Sequence, residues 1–222
     1  MSTHSAAKSR ITRGKVFALL SGGLVLGLGA TATLASWNDS EWVFGGIDGD
    51  TSGVTTSSFE VEQNRGAGWD QFETAPGGAL TITAPASGLT PGDAAYTQVS
   101  LRTTTTSVGG TLSLLAGAPA PTPAFAASDP DLWDAITLRV VATTGAPGTC
   151  DSGSFGASAV YVVGTFAAGA TLDTAGSLTR SLSAAGANQW NYCFQMLLPV
   201  GSDDDLQGTG ISPMWEFRAV SA

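Results

Sequence analysis

One run constrains the fold more than any other. Asn188–Pro199 reads NQWNYCFQMLLP, with Trp190, Tyr192, Phe194, Met196 and Leu198 at every second position. Side chains of a strand point alternately to its two faces, so this spacing predicts a strand with one continuous apolar face. Cys193 falls on the opposite face. A strand that is aromatic on one side and carries a cysteine on the other is expected to be covered on both.

Shorter runs of the same kind recur, separated by turn residues. Ser58–Gln63 alternates, with Phe59 and Val61 expected inward and Glu60 and Glu62 outward. Ala79–Thr83 also alternates, and Leu89–Asp93 (LTPGD) is a Pro-Gly turn. Tyr96–Thr106 and Ser107–Leu115 read as strands around a bend. Gly117–Pro123 is a Pro-rich loop, and Pro130–Trp133 reads as one helical turn capped by Ser128 or Asp129. Ile136–Thr143 is the clearest core strand. Gly145–Gly156 is a loop holding Cys150, and Ala159–Thr165 is a buried strand. Leu172–Ser183 reads as loop and strand with Leu178 and Leu182 inward, and Trp215–Val220 as the last strand. Many short strands with frequent turns predict an all-β antiparallel sandwich. Neither a long internal repeat nor a second domain boundary is visible, so one domain is expected over residues 36–222.

The N-terminus reads differently. Lys8, Arg10, Arg13 and Lys15 form a basic head, followed by an apolar run from Val16 to Ala35 that contains Gly22, Gly23, Gly27 and Gly29. A basic head, an apolar stretch and small terminal residues are the parts of an export signal. Thr33 and Ala35 fit the −3 and −1 positions of a signal peptidase site, so residues 1–35 are expected to form a signal helix cut between Ala35 and Ser36. The alternatives are an uncleaved membrane anchor and a cytoplasmic core helix. In either export case the membrane is met only through the signal. The end of the run carries no cysteine for lipid attachment. The chain shows no LPxTG motif and no apolar C-terminal tail, so wall attachment and a second anchor are not expected.

Removal of that signal changes the chemistry of the chain. Of its nine basic residues only Arg65, Arg102, Arg139, Arg180 and Arg218 remain, against all 18 acidic ones, a formal charge of −13. The only histidine, His4, goes with the signal. Such a chain repels nucleic acid and anionic lipid. It is expected to associate more readily in acid. Cys150 and Cys193 are the two cysteines. In an exported chain an even pair suggests a disulfide, with two separate thiols as the alternative.

Three stretches together carry a family resemblance. The junction ATLASWNDSEWVFG at 32–45 follows the Gly-rich run with small residues, Trp37 and the acidic segment 38–41. The PGD turn precedes a strand, and CFQMLLP with LQGTGISPMWEFRAVS closes the chain. In these features the sequence resembles the exported TasA/camelysin-type proteins of Gram-positive bacteria, whose signals are processed by a SipW-type peptidase. The resemblance is strongest over 15–45 and 192–222. It implies a jelly-roll-like sandwich and a place in extracellular or biofilm matrix fibres. For some members it implies metallopeptidase activity.

The residues argue against that activity. A zinc hydrolase needs imidazole or carboxylate ligands beside a general base, commonly as HExxH, and no histidine survives processing. The same lack removes the base from a serine or cysteine nucleophile. No cofactor and no enzyme activity are therefore expected. The acidic stretches Asp48–Gly53 and Asp203–Asp205 offer oxygen ligands for calcium but match no EF-hand loop; solvated turns are the simpler reading. Of Trp42, Trp69, Trp133, Trp190 and Trp215, at least three are expected in the core, and the rest could stack on sugar rings. The segment Trp42–Ile47 (WVFGGI) follows the expected cut. Trp42, Val43, Phe44 and Ile47 make it an apolar strand. It either folds as an edge of its own sandwich or is donated to a neighbouring subunit to build a fibre. A carbohydrate- or surface-binding module is the competing reading.

Overall fold

The computed structural model describes residues 57–85, 88–121 and 128–222. The chain divides into two units, Met1–Thr55 and Thr56–Ala222, and the described residues belong to the second. The expected signal helix, the Ala35/Ser36 cut, the start of the domain at residue 36 and the segment of Trp42, Val43, Phe44 and Ile47 lie outside the described residues.

The second unit is an all-β antiparallel sandwich, as the alternation predicts. Its strands are β1 (Val61–Asn64), β2 (Trp69–Asp70), β3 (Ala94–Thr103), β4 (Gly110–Leu114), β5 (Ala118–Pro119), β6 (Thr137–Thr144), β7 (Tyr161–Val163), β8 (Arg180–Leu182), β9 (Trp190–Leu197), β10 (Pro213–Met214) and β11 (Phe217–Ser221). One short helix, α1 (Pro130–Ala135), precedes β6. The large sheet runs β2-β1-β3-β9-β6-β7, and the small sheet runs β11-β4-β8. The short pair β5–β10 lies beyond the ladder of β4 and β11 along the same two chain segments.

The run that predicted the central strand is β9. It is paired with β3 from Leu101↔Trp190 to Ala94↔Leu197, and with β6 over Thr144↔Trp190 to Thr137↔Leu197. Tyr192, Phe194, Met196 and Leu198 face the small sheet and are buried with Val99, Leu101, Leu138, Val140, Leu112, Leu114 and Leu182. Across the gap, Phe217 stacks edge-on against Tyr192 with ring centroids 4.7 Å apart, and Trp215 lies 4.8 Å from Phe194. Such pairs add about 0.5–1.5 kcal/mol beyond the area they bury. On the other face Cys193 packs with Val141, Phe155, Tyr96 and Tyr161. The strand is thus covered on both sides, as its composition implied.

The LTPGD motif closes as a type II turn. Asp93 N–H donates to Thr90 C=O at 2.8 Å, and Gly92 at φ +101° holds the left-handed position that such a turn requires. Gly92 N–H donates to Leu198 C=O, which ties the start of β3 to the end of β9. The Asp93 carboxylate accepts from the Thr90 hydroxyl at 2.6 Å and the Thr90 N–H at 3.0 Å, and these bonds hold its pKa below the usual value. α1 is capped by Asp129, whose Oδ1 accepts from Leu132 N–H at 2.9 Å, while Ser128 Oγ instead accepts from Ser212 N–H.

Three local expectations are corrected. Ala79–Thr83 is not a strand: it makes one bridge, Thr83↔Tyr96, and Ile82 is largely exposed. Its alternation is real, but β3 offers that segment only the short stretch beyond β1. Leu178 is exposed rather than inward, because the backbone there turns to hydrogen-bond through Ser177, and only Leu182 enters the core. Glu62 does not simply point to solvent: it accepts from Arg102 Nε at 2.6 Å, and the guanidinium stacks on Trp69.

Thr103, fully buried at the end of β3, links the two sheets. Its hydroxyl donates to Ser183 C=O at 2.6 Å and accepts from Gly186 N–H at 2.9 Å. Thr103→Val keeps the shape and removes both bonds, leaving two partly buried backbone groups without this partner. It is expected to cost about 1–3 kcal/mol, read as a lower urea midpoint at unchanged slope.

Candidate functional site

The predicted disulfide is present: Cys150 and Cys193 are bonded, with Cα atoms 5.4 Å apart and 43 residues of separation. It draws the loop after β6 across the outer face of β9. Asp151 caps the turn Ser152–Phe155 by accepting from Gly153 N–H at 2.8 Å, and the turn drops Phe155 into the face. Tyr161 locks it by donating its hydroxyl to Phe155 C=O at 2.6 Å. The site residues Cys150 and Cys193 therefore build a clamp, and the clamp buries Val141 and Phe155 against Cys193 on this face of the large sheet. A structural disulfide fits an oxidising compartment, and among the described residues no helix is long and apolar enough to cross a membrane.

The acidic stretch Asp203–Asp205 lies beside the C-terminal end of β9. Folding brings Asp131 and Asp134 of α1 to the same shallow hollow as Asp203 and Asp205. Their convergence comes from tertiary structure alone, and the sequence showed only the second pair. Among the described residues no group of three or more His, Cys, Asp or Glu is arranged to hold a metal. A second hollow is lined by Gly145–Pro147 and Gly186–Gln189. Neither hollow presents an aromatic side chain. Trp133, Trp190 and Trp215 pack against the core, each partly buried, and Trp69 is covered by Arg102.

Inside the sandwich, Arg180 of β8 crosses to Trp190 and stacks on its ring at 4.6 Å. Arg180 Nε and Nη2 and the Tyr192 hydroxyl are buried there without hydrogen-bond partners. Burial pushes the Tyr192 hydroxyl up to about 12, with the nearby Arg180 charge opposing the shift.

The edges of the two sheets differ in a way that bears on function. The outermost strand β7 is covered by Ser177, whose N–H and hydroxyl both donate to Val162 C=O, at 2.9 and 3.1 Å. Next to it, Gly176 N–H donates to Leu114 C=O of β4, so residues 176–177 close that flank of the sandwich. The edge of β8 is capped at Ser181, whose C=O accepts from Asn188 Nδ2 and Trp190 Nε1 at 2.9 and 3.0 Å. β2 is only two residues long.

β11 is different. The bonds Leu115 N–H to Glu216 C=O and Ala222 N–H to Gly109 C=O fix the phase of its ladder with β4. In an antiparallel pair, alternate residues turn their backbone groups to the partner. Arg218 and Val220 therefore face β4, and Phe217, Ala219 and Ser221 direct their N–H and C=O groups away from it. Among the described residues these groups have no backbone partner. The Val220 side chain is 58% exposed. Sequence reasoning read Trp215–Val220 as the last strand, but no local signal marks a strand as an edge.

No family model matches this chain, and no curated protein matches it at a significant level.

Two measurements test this description. Reducing the disulfide, or replacing both cysteines by serine, releases a loop worth about 3–4 kcal/mol in the chain-entropy model, and the loss is read by urea unfolding with and without reductant. Tyr192 gives a pH dependence of definite sign. The unfolded chain loses this proton near pH 10 and the folded one near 12, so stability falls as pH rises above 10. Tyr192→Phe should flatten that alkaline decline, followed as the melting temperature between pH 9 and 12.

Proposed function

We propose that this chain is a secreted, non-enzymatic structural protein of the cell surface or extracellular matrix, one that self-associates by strand donation into oligomers or fibres. The observation that carries the reading is the uneven treatment of sheet edges. Among the described residues three edges are capped or very short, while β11 keeps three residues' worth of outward backbone groups without a partner. Sheet proteins that remain single usually blunt such an edge. The apolar segment Trp42–Ile47 is the donor in this reading. The basic head and apolar run of residues 8–35 supply the export signal, and the clamped Cys150–Cys193 loop suits the compartment beyond the membrane.

The acidic surface sets the conditions. At neutral pH a formal charge of −13 for the processed chain opposes self-association. Carboxylates take up protons near pH 4, so assembly is expected to rise as the pH falls toward that value. Mass measurement of the secreted form, with and without reductant, checks the Ala35/Ser36 cut and the disulfide. Light scattering and electron microscopy between pH 7 and 4 then check assembly. Filaments that vanish on deletion of residues 37–47 support the reading; a processed chain that stays monomeric throughout this range defeats it.

A further inference from the structure

We infer that the interior of the sandwich between β8 and β9 binds one small monovalent anion, chloride in kind, held by the Arg180 guanidinium and the Tyr192 hydroxyl. The anion is a structural ligand that joins the small sheet to the large one. The inference stands apart from the proposed self-association, and either can fail without the other.

Both sheets contribute to the site. Arg180 and Leu182 are alternate residues of β8, and Leu182 is buried in the core, so both side chains point inward. Arg180 crosses the gap and lies over the Trp190 ring of β9 at 4.6 Å. Trp190 is itself fixed, because its Nε1–H donates to Ser181 C=O at 3.0 Å. Tyr192 stands two residues further along β9 on the same face, about 7 Å away along the strand. Its hydroxyl feels the Arg180 charge. The neighbours in register offer these groups nothing: Leu112 beside Arg180, and Val99 and Ala142 beside Tyr192, are all apolar and buried.

What this place lacks is an acceptor. Arg180 Nε and Nη2 are buried with no hydrogen-bond partner, and so is the hydroxyl of Tyr192, whose side chain is 0% exposed. A guanidinium has only donors and keeps its charge. Burial holds the phenol pKa at about 12, so its hydroxyl is also a donor through the neutral range. Three hydrogens therefore meet in one region with a full positive charge behind them. The ion pairs among the described residues are Arg102–Glu62 and Arg218–Glu216, so no carboxylate of those residues neutralises Arg180. Stacking on Trp190 offsets only part of that charge, and a buried ion with unmet donors is costly. A water molecule would meet the hydrogen bonds and leave the charge in place. A monovalent anion accepts the hydrogen bonds and cancels the charge. Enclosure between packed sheets limits it to an anion of halide size.

Thermal melting of the secreted chain in sodium chloride and in sodium gluconate of equal ionic strength tests the site, gluconate being too large to enter. Chloride tenfold above its dissociation constant is expected to raise the melting temperature by about 3–6 °C over gluconate. Arg180→Met keeps a long side chain on Trp190 and removes the charge. It is expected to melt higher than the unaltered chain in gluconate and to show no difference between the two salts. Tyr192→Phe removes one donor, so more chloride is needed for the same rise; this variant serves if Arg180→Met does not fold. Crystals of the unaltered chain grown in bromide read occupancy directly, with an anomalous peak expected within hydrogen-bond reach of Arg180 and the Tyr192 hydroxyl. A water alone at that position overturns the inference, as does equal melting of the unaltered chain in the two salts. A chloride response of full size in Arg180→Met places anion binding elsewhere and overturns it too.

Discussion

Burial of β9 on both faces is the constraint on which the rest of the structure depends. Its Tyr192 and Phe194 fix the distance to the small sheet through Phe217 and Trp215. Its Cys193 fixes the position of the loop after β6. Its backbone is satisfied by β3 on one side and β6 on the other along the whole strand. A strand in that position has its backbone polar groups paired on both sides, which is why it tolerates such a high density of aromatic residues.

The two flanks of the sandwich follow different solutions to the same problem. An edge strand carries unpaired N–H and C=O groups that must meet water, a side chain or another strand. On the β7 and β8 side, Ser177, Asn188 and Trp190 supply side-chain or backbone donors. On the β11 side the described residues supply none. The same asymmetry appears in the core, which is dry under β4 and β8 and partly exposed under β11. Hydrogen bonding and packing therefore single out the same strand.

Strands with a strong alternating pattern were legible in the sequence: β9, β3 and β6 appear within a few residues of their expected limits. Packing on both faces made their composition unambiguous. Ala79–Thr83 has the same alternation but forms only a bridge, since a strand needs a neighbour of matching length as well as a pattern. Leu178 misled for a related reason. Hydrophobicity marks a preference for burial, and the nearby backbone bond from Ser177 to Val162 decided which side chain had to remain outside. The acidic hollow could not be read at all, because Asp131 and Asp134 meet Asp203 and Asp205 only when β6 and β9 pair.

By itself the sequence determined the all-β class, the central strand, the PGD turn, the capped helical turn and the cysteine pair. Each is set by local periodicity, by backbone geometry or by residue type. Tertiary structure decided which strands became edges and which of those edges were capped among the described residues. Those properties depend on neighbours distant in sequence. Ser177 and Asn188 acquire their roles only once the two sheets face each other.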